Sequence, residues 1–161
     1  MKQPQNTHIA HMNWGRLSYD WEDKRVAEFV NNLDLVNGVA ARSKGFVWRL
    51  SDEDMNAEQS NSEGVFGGDQ RIASTLSVWK TATDFVNFVH HTIHAGFMAK
   101  ADNWLDRMDA VKYVIWPVNI GHQPNMVEAK EMLDLLSKNG PSHAAYNFSY
   151  LDVLSKTEAV A

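Results

Sequence analysis

Apolar residues recur along this chain at two different spacings, and the switches between them mark out its elements. Residues 7 to 14 alternate, with His11 and Asn13 on one side and His8, Met12 and Trp14 on the other, which predicts a strand ended by Gly15-Arg16. From about Asp23 to Arg42, Val26, Phe29, Val30, Leu33, Val36 and Ala40 return at helical steps and predict one amphipathic helix. Two β-prone runs, 45–51 and 71–79, flank the polar, glycine-containing "DEDMNAEQSNSEGVFGGDQ", which reads as a mobile loop between paired strands. Thr81 or Thr83 can cap a helix carried to about Met108, and 111–120 is another strand, with Pro117 marking a bulge or an edge. A helix over 126–138 stops at Asn-Gly-Pro, 145–151 is a short last strand, and 152–161 is expected to be a frayed tail.

This order predicts an α+β fold: a ferredoxin-like βαββαβ plan with a C-terminal helix, one domain over 1–161 with its core about 7–151. The strands at 46–50 and 113–118 are apolar on both sides. Helices following this plan protect one face of the sheet, so a second copy of the chain is expected on the other, as a homodimer.

Composition narrows the function classes. With 44% hydrophobic and 22% charged residues in 161, the chain is too apolar for disorder. A net charge of -5 with scattered basic residues argues against nucleic acid. The absence of cysteine excludes disulfides, a thiolate nucleophile and cysteine-ligated metal. No segment approaches membrane-spanning length and the first residues hold no apolar leader, so no membrane contact and a cytoplasmic location are expected.

The richest chemistry lies in "FVHHTIHAGFMAKADNWL", residues 88–105. Phe97, Trp104 and Met108 form a helical stripe that extends back onto His94 and His90, while His91 points elsewhere, with the change of face expected near Gly96. His94 is the leading candidate to face an internal pocket walled by Phe97 and Trp104, with His90 one turn away. "HHTIH" has His91 where a zinc-protease motif needs glutamate, and no third ligand follows at motif spacing, so no metal site is expected. A helix histidine before an apolar wall also suits an axial ligand of haem. On the strands, Trp48 and Arg49 face opposite sides, Trp79 is a further wall, and His11 or Asn13 can reach a ligand. Arg49 in an apolar strand needs a carboxylate or an anionic ligand. Nucleotide-binding glycine motifs and a serine nucleophile elbow are absent, leaving proton transfer, oxygen chemistry on an activated substrate, or cofactor-borne chemistry.

"FVWRL", "LSVW", His94 with Trp104, Gly121-His122 with Pro124 and Glu128-Ala129, and Gly140-Pro141 before "AYNF" together resemble a bacterial family catalogued as domain of unknown function 3291, over about residues 8–148. That family is similar to the dimeric α/β-barrel superfamily of antibiotic-biosynthesis monooxygenases, polyketide cyclases and haem enzymes such as chlorite dismutase and aldoxime dehydratase. The resemblance implies a dimeric α/β barrel and points to His94, Trp104, Trp48, Arg49, Trp79 and His122. It departs from the family pattern between His94 and Trp104, where an expected basic run is "KADN" and keeps only Lys100. The function expected is a biosynthetic enzyme acting on a hydrophobic, polyketide-like small molecule by monooxygenation or acid–base cyclisation. In it His94 is the general acid/base, Arg49 or Asn13 stabilises an oxyanion, and His90, Phe97, Trp104, Trp48, Trp79 and His11 bind substrate. The alternatives are a haem-dependent enzyme with His94 as axial ligand, and a non-catalytic ligand-binding or stress-related dimer.

Overall fold

In the computed structural model, which describes residues 6–153, four strands form one antiparallel sheet in the order β2-β3-β1-β4. The central β1 (Thr7–Arg16) pairs with β3 (Ile72–Trp79) and β4 (Tyr113–Asn119), and β2 (Phe46–Arg49) lies outside β3. Gly15-Arg16 does not end β1: both residues stay in the ladder, opposite Ala73 and Ile72. Glycine leaves room there for Leu105, whose methyl a Cβ at position 15 would meet at 3.0 Å. Pro117 sits in β4, an edge strand, as its missing donor demands.

The helix expected over 23–42 is a 3-10 turn (Lys24–Val26) followed by α1 (Ala27–Asn31) and α2 (Leu33–Arg42). It breaks at Asn32, whose side-chain amide donates to the Glu28 carbonyl at 2.7 Å and competes with the backbone ladder. The stretch expected to be a mobile loop holds α3 (Asp52–Ser60). The Ser51 hydroxyl caps it, accepting from the Asp54 N–H, and three carboxylates occupy its positive first turn. Met55 and Gln59, four residues apart, are its buried side.

Thr81 caps α4 (Ala82–His91), accepting from the Asp84 N–H at 3.0 Å. The helix expected to reach Met108 stops at Thr92, which is extended (φ -126°, ψ -176°). The Thr92 hydroxyl donates to the Phe88 carbonyl at 2.6 Å and accepts from the His94 N–H at 3.3 Å, ending α4 and starting α5 (Ile93–Ala99). A 3-10 turn (Ala101–Asn103) follows. Asn125 caps α6 (Met126–Asn139), which stops at Gly140 in the left-handed region, φ 73°. The last strand expected over 145–151 shrinks to one bridge, Tyr146 with Ile115, and the chain is helical from 148. Most of the expected frayed tail, 154–161, lies outside the described residues.

Both faces of the sheet are filled from within the chain. On one, Ala10, Met12, Leu76, Val78, Val114, Trp116 and Val118 pack against Met55 of α3 and Met126, Ala129, Leu133 and Leu136 of α6. On the other, Ile9, Trp79 and Ile115 pack against Ala40 of α2, Phe85, Phe88 and Val89 of α4, and Tyr146. The open apolar face expected to receive a second copy is therefore absent: Trp116 is 2% and Val118 6% exposed, because α6 lies across them. A third cluster joins Leu17, Val26 and Trp104 beneath Phe29, Val30 and Phe97.

Candidate functional site

The ladder register lines up Arg49, Ser77, His11 and Ile115 in one row across the sheet, on the face packed by α4, with Tyr146 bridged beyond. The next row is Thr75, Asn13 and Tyr113. His11 is thus central, and it is only 6% exposed. Its ring lies 4.3 Å from that of Phe85 and 6.3 Å from that of Tyr113. Burial, with nearby His94 adding to it, pushes the His11 pKa down to about 3, so the ring is neutral at physiological pH.

His94 occupies the second position of α5, and its ring sits 5.0 Å from Phe88. Its Nδ1 is buried with no hydrogen-bond partner. Burial lowers the His94 pKa, opposed by the Val89 carbonyl and reinforced by neighbouring His90. Two imidazoles from distant parts of the chain thus lie near enough for His94 to bear on the charge of His11, in surroundings that favour their neutral forms. Such a pair can donate, accept or pass on a proton without a fixed charge.

Aromatic rings form the walls. Trp79 stacks on Phe88 at 5.2 Å, meets Phe46 edge-on at 5.4 Å, and donates its indole N–H to the Ser77 hydroxyl at 3.0 Å. Phe148 lies 6.0 Å from Phe85 and 5.0 Å from Tyr113, whose hydroxyl accepts from the Phe148 N–H at 3.1 Å. Burial raises the Tyr113 pKa, keeping the phenol protonated.

The other expected site residues divide. Trp79 shares the histidine face. Asn13 does too, but its carbonyl oxygen accepts from both the N–H and the hydroxyl of Thr75. Arg49 shares the row, but its guanidinium pairs with Asp52 at 2.8 Å, satisfying it with a carboxylate. His90 is exposed, its ring 5.4 Å from Phe148, and His91 is exposed. Phe97 and Trp104 do not wall His94; they pack together at 5.9 Å in the third cluster, with Phe29. The stripe that joined them on paper is broken at Thr92 and at the 3-10 turn. Trp48 faces the opposite side of the sheet, against the core under α3 and α6. His122 lies on that side of the molecule as well, bonded through Nε2 to Glu128 at 2.6 Å, and Glu128 also accepts from the Trp116 indole at 2.9 Å. Phe85, Phe88, Ser77, Tyr113 and Phe148 were not singled out as site residues. The pairing of His11 with Ser77 could have found one of them, but it requires the strand register.

No curated protein matches the chain. Among solved structures, the crystal structure of the NE2512 protein of unknown function from Nitrosomonas europaea is similar, with a TM-score of 0.45 and 12% identity over 76% of this chain and 97% of that chain. Residues 8–160 match the family described as "Domain of unknown function (DUF3291)", and the chain belongs to that family.

Proposed function

We propose that this protein is an enzyme acting on a hydrophobic small molecule, with His94 as general acid/base and His11 as its neutral partner. One observation carries the reading: the buried Nδ1 of His94 has no partner, beside a second imidazole held neutral by its surroundings. An apolar aromatic interior without an unpaired charge suits a neutral, planar, polyketide-like substrate bearing an acidic C–H or phenolic hydroxyl. Monooxygenation of such a molecule and acid–base cyclisation both begin with removal of that proton. The oxyanion role expected of Arg49 or Asn13 passes to His11, because both of those side chains are engaged elsewhere.

The fold supports this placement. Strand order β2-β3-β1-β4 with antiparallel neighbours, and helices after β1 and β3, is what a ferredoxin-like βαββαβ plan requires. We read the chain as a relative of the monooxygenase-containing α/β-barrel superfamily on that basis. No described helix is long and apolar enough to cross a membrane. A cytoplasmic location is part of the proposal.

The test uses three histidine variants and a panel of hydroxylated anthrones and naphthols as substrates. His94→Ala is expected to abolish turnover, His91→Ala to leave it unchanged, and His90→Ala to reduce it partly, all at equal thermal stability. A silent His94→Ala with a damaging His91→Ala overturns the assignment.

A haem enzyme with His94 as axial ligand is the second reading, favoured by the same neutral imidazole in an aromatic surround. The residues suit the iron better than the propionates, since Lys100 pairs with Glu28 and Arg49 with Asp52, each ion pair closing within 2.9 Å. A Soret band in the purified protein selects this reading.

A further inference from the structure

A different surface feature lies where α3 meets the segments around residues 21 and 70. There an open cleft of about 320 Å³ is lined by Trp21, Asn56, Gln59, Ser60 and Gln70. Every lining side chain is neutral: one indole, three amides and one hydroxyl. Nearby on these segments Arg71 pairs with Asp20 at 2.9 Å and Arg16 with Asp69 at 2.8 Å, while Glu22 and Glu58 adjoin Trp21 and Gln59 in sequence. No charged side chain lines the cleft itself.

Gln59 is only 7% exposed. Its Oε1 accepts from the Ser74 N–H at 3.0 Å, on the part of β3 beyond the last pair with β2, Arg49 with Ser77. That bond explains why α3 buries an amide, and it uses one end only. The same side chain lines the cleft. The amide nitrogen of a side chain held in this way can donate two hydrogen bonds. Trp21 is complementary: its indole N–H donates to the Gln70 carbonyl at 2.6 Å, which holds the ring and occupies its polar atom. What remains of the indole is a flat apolar surface.

We propose that this cleft binds a neutral saccharide, a pyranose ring laying its C–H face on Trp21 while its hydroxyls meet the amides of Asn56, Gln59 and Gln70. An amide donates and accepts, as a sugar hydroxyl does, so a cluster of amides satisfies several hydroxyls without selecting a charge. The volume is at the small end of ligand sites, which run roughly 300–1,000 Å³, and suits one or two sugar rings.

The experiment titrates the ¹⁵N-labelled chain with methyl α-glucoside, methyl β-galactoside and N-acetylglucosamine, with sorbitol as the acyclic control. It follows the Trp21 indole and Gln59 side-chain amide resonances. At least one pyranoside is expected to shift both saturably, with a Kd on the order of 1 mM. Trp21→Ala should weaken that binding about tenfold. Asn56→Ala, on the exposed side of α3, should weaken it several-fold and keeps the test open if Trp21→Ala does not fold. No saturable shift with any pyranoside, equal affinity for sorbitol, or full affinity in folded Trp21→Ala or Asn56→Ala overturns the proposal.

Discussion

His11 must give up its proton to sit where it does. Unfolded, the ring titrates near 6.5; folded, burial beside His94 brings it to about 3. Between those values the unfolded chain binds more protons, so stability from this group is fully present above pH 6.5 and is lost as pH falls toward 3. The linked change is roughly 4 to 5 kcal/mol over the whole interval. His94 acts in the same direction. His11→Phe, which keeps a ring against Phe85, is therefore expected to flatten the acid limb of stability. Urea denaturation at pH 7, 5.5 and 4 checks this, and parallel limbs in the two proteins would refute it. At this scale the sequence was partly legible. The histidine run could be singled out, but the continuous helical phase used to separate His94 from His91 is interrupted between them at Thr92. Nor could the sequence pair His94 with His11, because their meeting depends on how α5 lies against the sheet.

Elements were legible where the apolar period was strong. β1 and α6 carry it plainly, and each lies within a few residues of its expected place, whereas α4 starts where expected but ends at His91 instead of about Met108. α3 was hidden because Met55 and Gln59 are its only buried side chains and one of them is polar. Its stability rests on its first turn, so Ser51→Ala is expected to cost about 1 kcal/mol, read as a lower urea midpoint at unchanged slope. An unaltered midpoint would show that the Ser51 cap contributes nothing. The breaks at Asn32 and Thr92 escaped for the opposite reason. Apolar spacing continues through both, while a single side chain bonding its own backbone redirects the chain.

At the scale of the molecule, the doubly filled sheet changes what a second copy of the chain can touch. Contact through the sheet would require α6 to leave Val114, Trp116 and Val118. We propose that the homodimer expected from the sequence uses exposed apolar surface elsewhere, for which Leu35 of α2 and Ile93 and Met98 of α5 are candidates. Hydrogen exchange should then slow with protein concentration in α5 and stay constant in β4; concentration-dependent protection of β4 would restore the sheet-face dimer. The two-sided packing was not legible from residue patterns, since a strand apolar on both sides reads the same whether its neighbour is α6 or another subunit. The interruption at Thr92 has its own consequence at this scale. It leaves His94 on a seven-residue helix that buries no residue of its own. The imidazole proposed to handle a substrate's proton is thus carried by the least anchored piece of its wall, next to a His11 that is almost sealed. If substrate reaches the proposed site past α5, its entry and the placing of the His94 ring would depend on the same short turn of chain.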